Sequence, residues 1–317
     1  MKFYDNTQIS AYKVCPRFYY LRHQKHWTEG GTSIPLAAGL AWHAGMDEVW
    51  KGILEGLNDR LLVDIAIDAW RQTMVESLIP IDDISYTMNE KRNSGTFKEM
   101  FTNYVKQNRS FIEQIELLGC EVPFAVPLGE SEDTYYVGRR DKIFKKKERI
   151  FVGEHKTSSL YAKSGHFQAA FLNSFSPNAQ IDGYAYATFL EYGKAFKSVY
   201  VDAALVHKSV HDGFKFIPIE RQFSQLDAWL AETKGWTERI ENEIRYLDFA
   251  LSANKSPLAY FPKVDSSCFR FFRNCMYKDI CRFLPHPALM KDPPKGFIIE
   301  EWKPFDVNNI ASIIEGK

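Results

Sequence analysis

Net charge is the first thing missing from this sequence: 40 lysines and arginines balance 40 aspartates and glutamates among 317 residues. No global field draws such a chain to nucleic acid or membrane, so any nucleic-acid contact has to come from a local patch. Long apolar runs are missing too. None reaches the ~20 residues needed to span a bilayer, and the opening Met1-Lys2-Phe3-Tyr4-Asp5 lacks signal-peptide character. The expected location is the cytoplasm, with no membrane partner. Cysteine is scarce, at five residues, and in a reducing compartment these are not expected to form disulfides. No Gly-x-x-x-x-Gly-Lys-Ser/Thr loop occurs, so an ATP-driven motor would be a separate chain.

What is present is a globular composition, 45% hydrophobic and 15% aromatic, enough for a sizeable core. Ile9, Tyr12, Phe18 and Leu21 suggest short helices broken near Pro16. Gly39-Leu-Ala-Trp-His43 opens an amphipathic helix running toward Leu54, and helical spacing recurs over 59–78 and 96–118. A polar linker, Ile79 to Gly95, lies between those two helices. The pattern turns to strand at Cys120 and Glu121, and again over 197–206 and 214–220. A polar stretch from Thr157 to Asn178 reads as a mobile loop, Gln180 opens another helix, and Gln225 to Leu251 is a long one. This order predicts a mixed α+β protein with helices against a mixed sheet, not a repeated βαβ array.

The centre of that sheet is the stretch Tyr135 to Lys156. Two runs rich in aromatic and β-branched residues flank the charged Lys145-Lys-Lys-Glu-Arg149, the pattern of a β-hairpin. Pairing Ile143 and Phe144 with Phe151 and Ile150 puts Asp141 roughly opposite Glu154, and strand alternation gives Glu154 and Lys156 one face. Two carboxylates suit a hard divalent cation such as Mg²⁺ or Mn²⁺, and the lysine can orient a water or offset phosphate charge. A structural ion pair is the plain alternative. A second Glu-x-Lys, Glu232-Thr-Lys234, lies in a helical pattern where residues two apart do not face each other. Arg139, Arg140, Lys142, Lys145, Lys146, Lys147 and Arg149 form the local basic patch that DNA contact would use, although such a turn is more often solvated surface.

Cys268, Cys275 and Cys281 fall within fourteen residues. Three soft ligands need a fourth to complete a tetrahedral metal or cluster site. Cys15 and Cys120 are the remaining cysteines, and His286 is the nearest histidine. The intervals of six and five residues do not choose between zinc and an iron–sulfur cluster.

Together these motifs resemble the RecB-like branch of the PD-(D/E)XK nucleases, and within it the members with an iron–sulfur cluster: AddB-type proteins and CRISPR-associated or phage-encoded exonucleases. The resemblance runs from Cys15 to Cys281. The family's Gly-x-x-x-His matches Gly39 and His43, its Gly-x-x-Asp strand Gly138 and Asp141, its Glu-x-Lys Glu154 and Lys156, and its Gln-x-x-x-Tyr helix Gln180 and Tyr184. The cysteine pattern, one early and three late, matches Cys15, Cys268, Cys275 and Cys281. One departure is the six-residue gap between Cys268 and Cys275, where two is common.

The resemblance implies a restriction-endonuclease-like core and a metal-dependent DNA nuclease, in particular an exonuclease on single-stranded DNA or DNA ends. His43, Asp141, Glu154 and the backbone carbonyl of His155 would hold Mg²⁺ or Mn²⁺, with the His155 imidazole on the opposite face. Lys156 would be catalytic, and Gln180 and Tyr184 would contact DNA. Cys15, Cys268, Cys275 and Cys281 would hold a [4Fe–4S] cluster. One domain is expected over 1–317: a helical insertion at 44–118, the catalytic sheet at 119–222, a long helix at 223–254, and a cysteine segment at 260–290 closing on Cys15. Three other readings are a DNA-end-binding module with an inactive site, a structural zinc protein, and a subunit working with separate helicase, recombination or CRISPR proteins.

Overall fold

In the computed structural model, which describes all residues except 84–85, 88–89, 130–132, 162–165, 271–272, 304–309, 311–312 and 315–317, proline and capping residues account for the first breaks in the chain. Strand β1 (Lys2–Tyr4) leads into helix α1 (Asn6–Val14), whose N-cap Asp5 accepts from the Gln8 amide at 2.7 Å. Cys15 is extended, with φ −165°, and Pro16 opens α2 (Pro16–Tyr19), where its missing N–H costs nothing. This is the expected break at Pro16.

Next come β2 (Trp27–Thr28), α3 (Ile34–Leu54), α4 (Asp59–Glu76), α5 (Ser94–Ile112), β3 (Glu116–Pro127), β4 (Thr134–Lys146) and β5 (Arg149–Ser158). They are followed by α6 (Ala169–Asn173), α7 (Ala179–Tyr192), β6 (Phe196–Leu205), β7 (Phe214–Ile219) and α8 (Phe223–Ser252). The chain then runs through the short β8 (Phe269–Arg270) and β9 (Arg273–Asn274), α9 (Lys278–Phe283) and β10 (Ile298–Ile299). Among the described residues no helix is long and apolar enough to cross a membrane.

Several boundaries differ from the sequence reading. The helix expected over 96–118 ends at Ile112, and Leu117 and Leu118 belong to β3, which starts before Cys120. The helix expected over 59–78 stops at Glu76, because Leu78 adopts a left-handed φ of +59° that no helix accommodates. The helix opening at Gly39 begins earlier, at Ile34. In the stretch expected to be a loop, Thr157 and Ser158 extend β5 and α6 forms; its residues 162–165 lie outside the described residues.

The chain divides into two compact units. One comprises Gly31–Val122 and Arg139–Leu226 and contains a mixed sheet: β4 and β5 are antiparallel, β5 and β6 parallel, β6 and β7 antiparallel. Its helices pack by their apolar stripes. Ala37, Ala41, Trp42, Met46, Val49, Trp50 and Ile53 of α3 are buried against α4 and α5, and Trp42 stacks on Phe101 at 4.8 Å. Gly45 makes that approach possible, since a Cβ there would sit 2.3 Å from the Phe101 ring. α3 and α7 also pack against β5.

The β4–β5 register is one residue away from the expected one. Ile143 pairs with Val152 and Phe144 with Phe151, and Lys146 pairs with Arg149 across a two-residue turn with Lys147 at φ +54°. Lys142 pairs with Gly153, and the same register continued by one residue would bring Asp141 to Glu154.

The basic patch is also corrected. Lys142 is 0% and Arg140 1% exposed; they face inward to Asp47 and to Glu191 and Thr188.

The other unit comprises Met1–Gly30, Pro123–Gly138 and Asp227–Lys317. There β1 runs parallel to the first residues of β4, pairing Tyr4 with Tyr136, and β2 pairs with β10. The sequence reading did not include β1 or β10. Gly138 is required here, because a Cβ would lie 2.4 Å from the Phe124 ring. Tyr19 and Tyr20 stack on Phe261, and Tyr277 packs with Leu21 and Trp27.

Candidate active site

α3, β4, β5 and α7 each bring one part of the expected constellation to one place. Helical spacing buries Trp42 and Met46 and leaves His43 at the edge of that stripe, where Nδ1 lies 3.2 Å from Asp141 Oδ2. The same carboxylate oxygen accepts the His155 backbone N–H at 2.7 Å. Glu154, 1% exposed, contacts Lys156 Nζ through Oε1, while its Oε2 is buried without a hydrogen-bond partner. Lys156 Nζ donates to Gln180 Oε1 at 3.1 Å, and Gln180 Nε2 donates to the Tyr184 hydroxyl at 2.8 Å. The i, i+4 spacing on α7 sets up that last bond. Tyr184 is itself buried, at 6% exposure.

The charges are mutually dependent. Burial would raise the Asp141 carboxyl, but the neighbouring His43, with His155 and Lys156 behind it, holds it well below the usual carboxylate range. Burial and the Asp141 charge push Glu154 up to about 7, against the pull of Lys156 and His43. For His43, burial works against the charged form, yet Asp141 and then Glu154 raise its pKa above the ordinary histidine value. Lys156 is likewise raised, burial being outweighed by Glu154 and Asp141.

The His155 imidazole joins a separate buried set. Its Nδ1 is 3.0 Å from Asp202 Oδ2 and its Nε2 2.6 Å from Lys142 Nζ. Lys142 also bonds Asp47 at 2.8 Å, and Asp202 accepts from the Tyr104 hydroxyl at 2.5 Å. Burial and the Lys142 charge lower the His155 pKa.

One group went unnoticed in the sequence. Glu121 of β3 has ligand atoms within 4.8 Å of those of His43 and Asp141, the only such group of three potential metal ligands among the described residues. Its φ is +52°, and its Oε2 pairs with Arg139 Nε. Nothing in Cys120-Glu-Val-Pro-Phe signals that conformation.

This donor set fits a hard divalent cation. Carboxylate oxygens and an imidazole converge, and Glu154 Oε2 is an acceptor at the protein interior with nothing to accept from.

The cysteines lie elsewhere. Cys15, Cys268, Cys275 and Cys281 belong to the unit that begins at Met1, and Cys120 to the other. Cys15 Sγ accepts from the Val264 amide at 3.4 Å, Ser267 Oγ donates to the Val14 carbonyl at 2.8 Å, and the Cys275 amide donates to the Cys268 carbonyl at 2.9 Å. Cys281 is pushed up to about 11 by burial; Arg17 opposes this, while Cys15, Cys275 and Cys268 add to it. Arg17, 4% exposed, bonds the Phe261 carbonyl at 2.7 Å and has no carboxylate partner among the described residues. Among the described residues no three thiols lie within 4.8 Å of one another.

Residues 6–282 match the family model described as the PD-(D/E)XK nuclease superfamily. No curated protein matches the chain.

Proposed function

Because the chain belongs to the PD-(D/E)XK nuclease superfamily, a family of metal-dependent phosphodiester hydrolases, we propose that it is a Mg²⁺- or Mn²⁺-dependent deoxyribonuclease, an exonuclease acting on single-stranded DNA or DNA ends in the cytoplasm. The observation that carries the reading is His43 set against Asp141 and Lys156 against the buried Glu154, whose Oε2 has no hydrogen-bond partner.

His43, Asp141, Glu154 and the His155 backbone carbonyl would hold the cation. When bound it supplies Lewis-acid polarisation of the scissile phosphate and a lower pKa for an attacking water. The protein's own residues do the rest. The His155 amide fixes one Asp141 oxygen, so the carboxylate cannot swing away. Lys156 presents an ammonium to the phosphate and orients the water, its own position set by Gln180. Gln180 is the DNA contact of α7, and buried Tyr184 acts through it by holding its amide. The hydrolysis needs no organic cofactor.

The four cysteines Cys15, Cys268, Cys275 and Cys281 hold a [4Fe–4S] cluster in this reading. A tetrahedral zinc with Zn–S near 2.3 Å would draw thiolates to about 3.8 Å of one another, and among the described residues no three thiols lie within 4.8 Å. A cluster binds each thiolate to a different iron and accepts a wider cage. Burial lowers the Arg17 pKa, with Cys281 and Cys15 opposing it in part, so an anionic group there would favour the buried guanidinium. The cluster would be structural, with helicase, recombination or CRISPR proteins as separate partners.

Digestion of end-labelled single- and double-stranded DNA with Mg²⁺ or Mn²⁺ tests the activity. Mononucleotide release that a chelator stops is expected. Internal cuts would refute the exonuclease reading, and intact DNA under every metal condition would refute the enzyme.

A further inference from the structure

Glu121 adopts a backbone conformation that L-residues avoid. Its φ of +52° lies in the left-handed region, inside a strand, at a residue with a full side chain. Such a residue is costly to hold unless the surroundings demand it, and such strain gathers at functional sites. It also breaks the alternation of a strand, re-aiming one side chain.

Here the redirected side chain is a carboxylate, and it arrives within 4.8 Å of His43 and Asp141. Without a cation that placement is unfavourable. Two acidic groups approach each other, and the Glu154 carboxyl, which feels the Asp141 charge, has its Oε2 buried and unpartnered. Arg139, half exposed, engages Glu121 through Oε2.

We propose that Glu121 is a further ligand of the divalent cation, presented by its left-handed backbone and steadied by Arg139; this rests on the metal-site reading above. The ligand class is a hard divalent cation, Mn²⁺ or Mg²⁺, because the added donor is a carboxylate oxygen. Arg139 offsets part of the acidic charge and keeps Glu121 from turning to solvent.

The test is calorimetric titration of Mn²⁺ into the full chain as wild type, Glu121→Gly and Asp141→Asn. Glycine is at ease with φ +52°, so Glu121→Gly should fold at least as firmly as wild type in a thermal melt. Its Mn²⁺ affinity should nevertheless fall by at least about tenfold, the scale on which even outer-shell partners act. Wild-type affinity in Glu121→Gly, with affinity lost in Asp141→Asn, overturns the role of Glu121 and leaves the site reading standing. Absence of Mn²⁺ binding by the wild type overturns both.

Discussion

Glu154 holds its proton well above the usual carboxylate range. In the folded protein it titrates at about 7, against an ordinary 4.5, chiefly because it is buried and then because Asp141 is charged beside it. Between those two pH values the folded state holds a proton that the unfolded chain has released. Stability of the metal-free protein therefore falls as pH rises through that window. Asp141 is the opposite case: its depressed pKa stabilises above the normal carboxylate range and is lost as pH falls. Glu154→Gln removes the Glu154 penalty. Thermal melts in chelator should show the variant gaining on wild type between about pH 5 and about pH 8. An equal difference at both pH values would contradict the assignment. Lys156→Ala is expected to lose cleavage while keeping most Mn²⁺ binding in calorimetry, since an ammonium is not a ligand. Loss of Mn²⁺ affinity in proportion to activity would count against that division of roles.

At the scale of elements, the hairpin was legible but its register was not. Ile150, Phe151 and Val152 are all apolar, so alternation along β5 could not fix the pairing, and a one-residue slip was free. The turn at Lys147 decides it. Arg140 and Lys142 read as part of a solvated basic run because their partners are remote in sequence: Glu191 and Thr188 for one, Asp47 and His155 for the other. Asp141, Glu154 and Lys156 were legible from strand context. The roles expected of His43, Gln180 and Tyr184 came from the resemblance, because helical spacing alone does not mark a ligand or a DNA contact. Glu121 was not legible, since no residue type announces a left-handed backbone in a strand.

The same element makes Lys142 testable. It is wholly buried, and its ammonium lies between Asp47 and His155, whose backbone amide donates to Asp141. Lys142→Met would leave Asp47 without its cation, at a cost of about 3–5 kcal/mol. Denaturant unfolding should show that loss. A change within about 0.5 kcal/mol, typical of surface sites, would mean that the buried pair contributes nothing.

At the scale of the molecule, the cysteines join the start of the chain to its far end. Cys15 stands at the break between α1 and α2, and Val264 and Ser267 reach back to it and to Val14. A cluster across that junction closes a loop of about 250 residues, which restricts the unfolded chain strongly. Protein purified without oxygen should be brown and hold about four irons per chain. Cys15→Ala should lose iron and melt lower, whereas Cys120→Ala, in the other compact unit, should keep both. Stoichiometric zinc without iron would replace the cluster by an ion, and full metal content in Cys15→Ala would remove Cys15 from the site.

The most direct test of the catalytic account compares wild type with Asp141→Ala on end-labelled single-stranded DNA in Mn²⁺, after a melt shows the variant folded. Asp141 is the hub that touches His43, accepts from the His155 amide and lies within reach of Glu121. The account predicts chelator-sensitive cleavage by wild type and none by Asp141→Ala. Undiminished cleavage by a folded Asp141→Ala would contradict it.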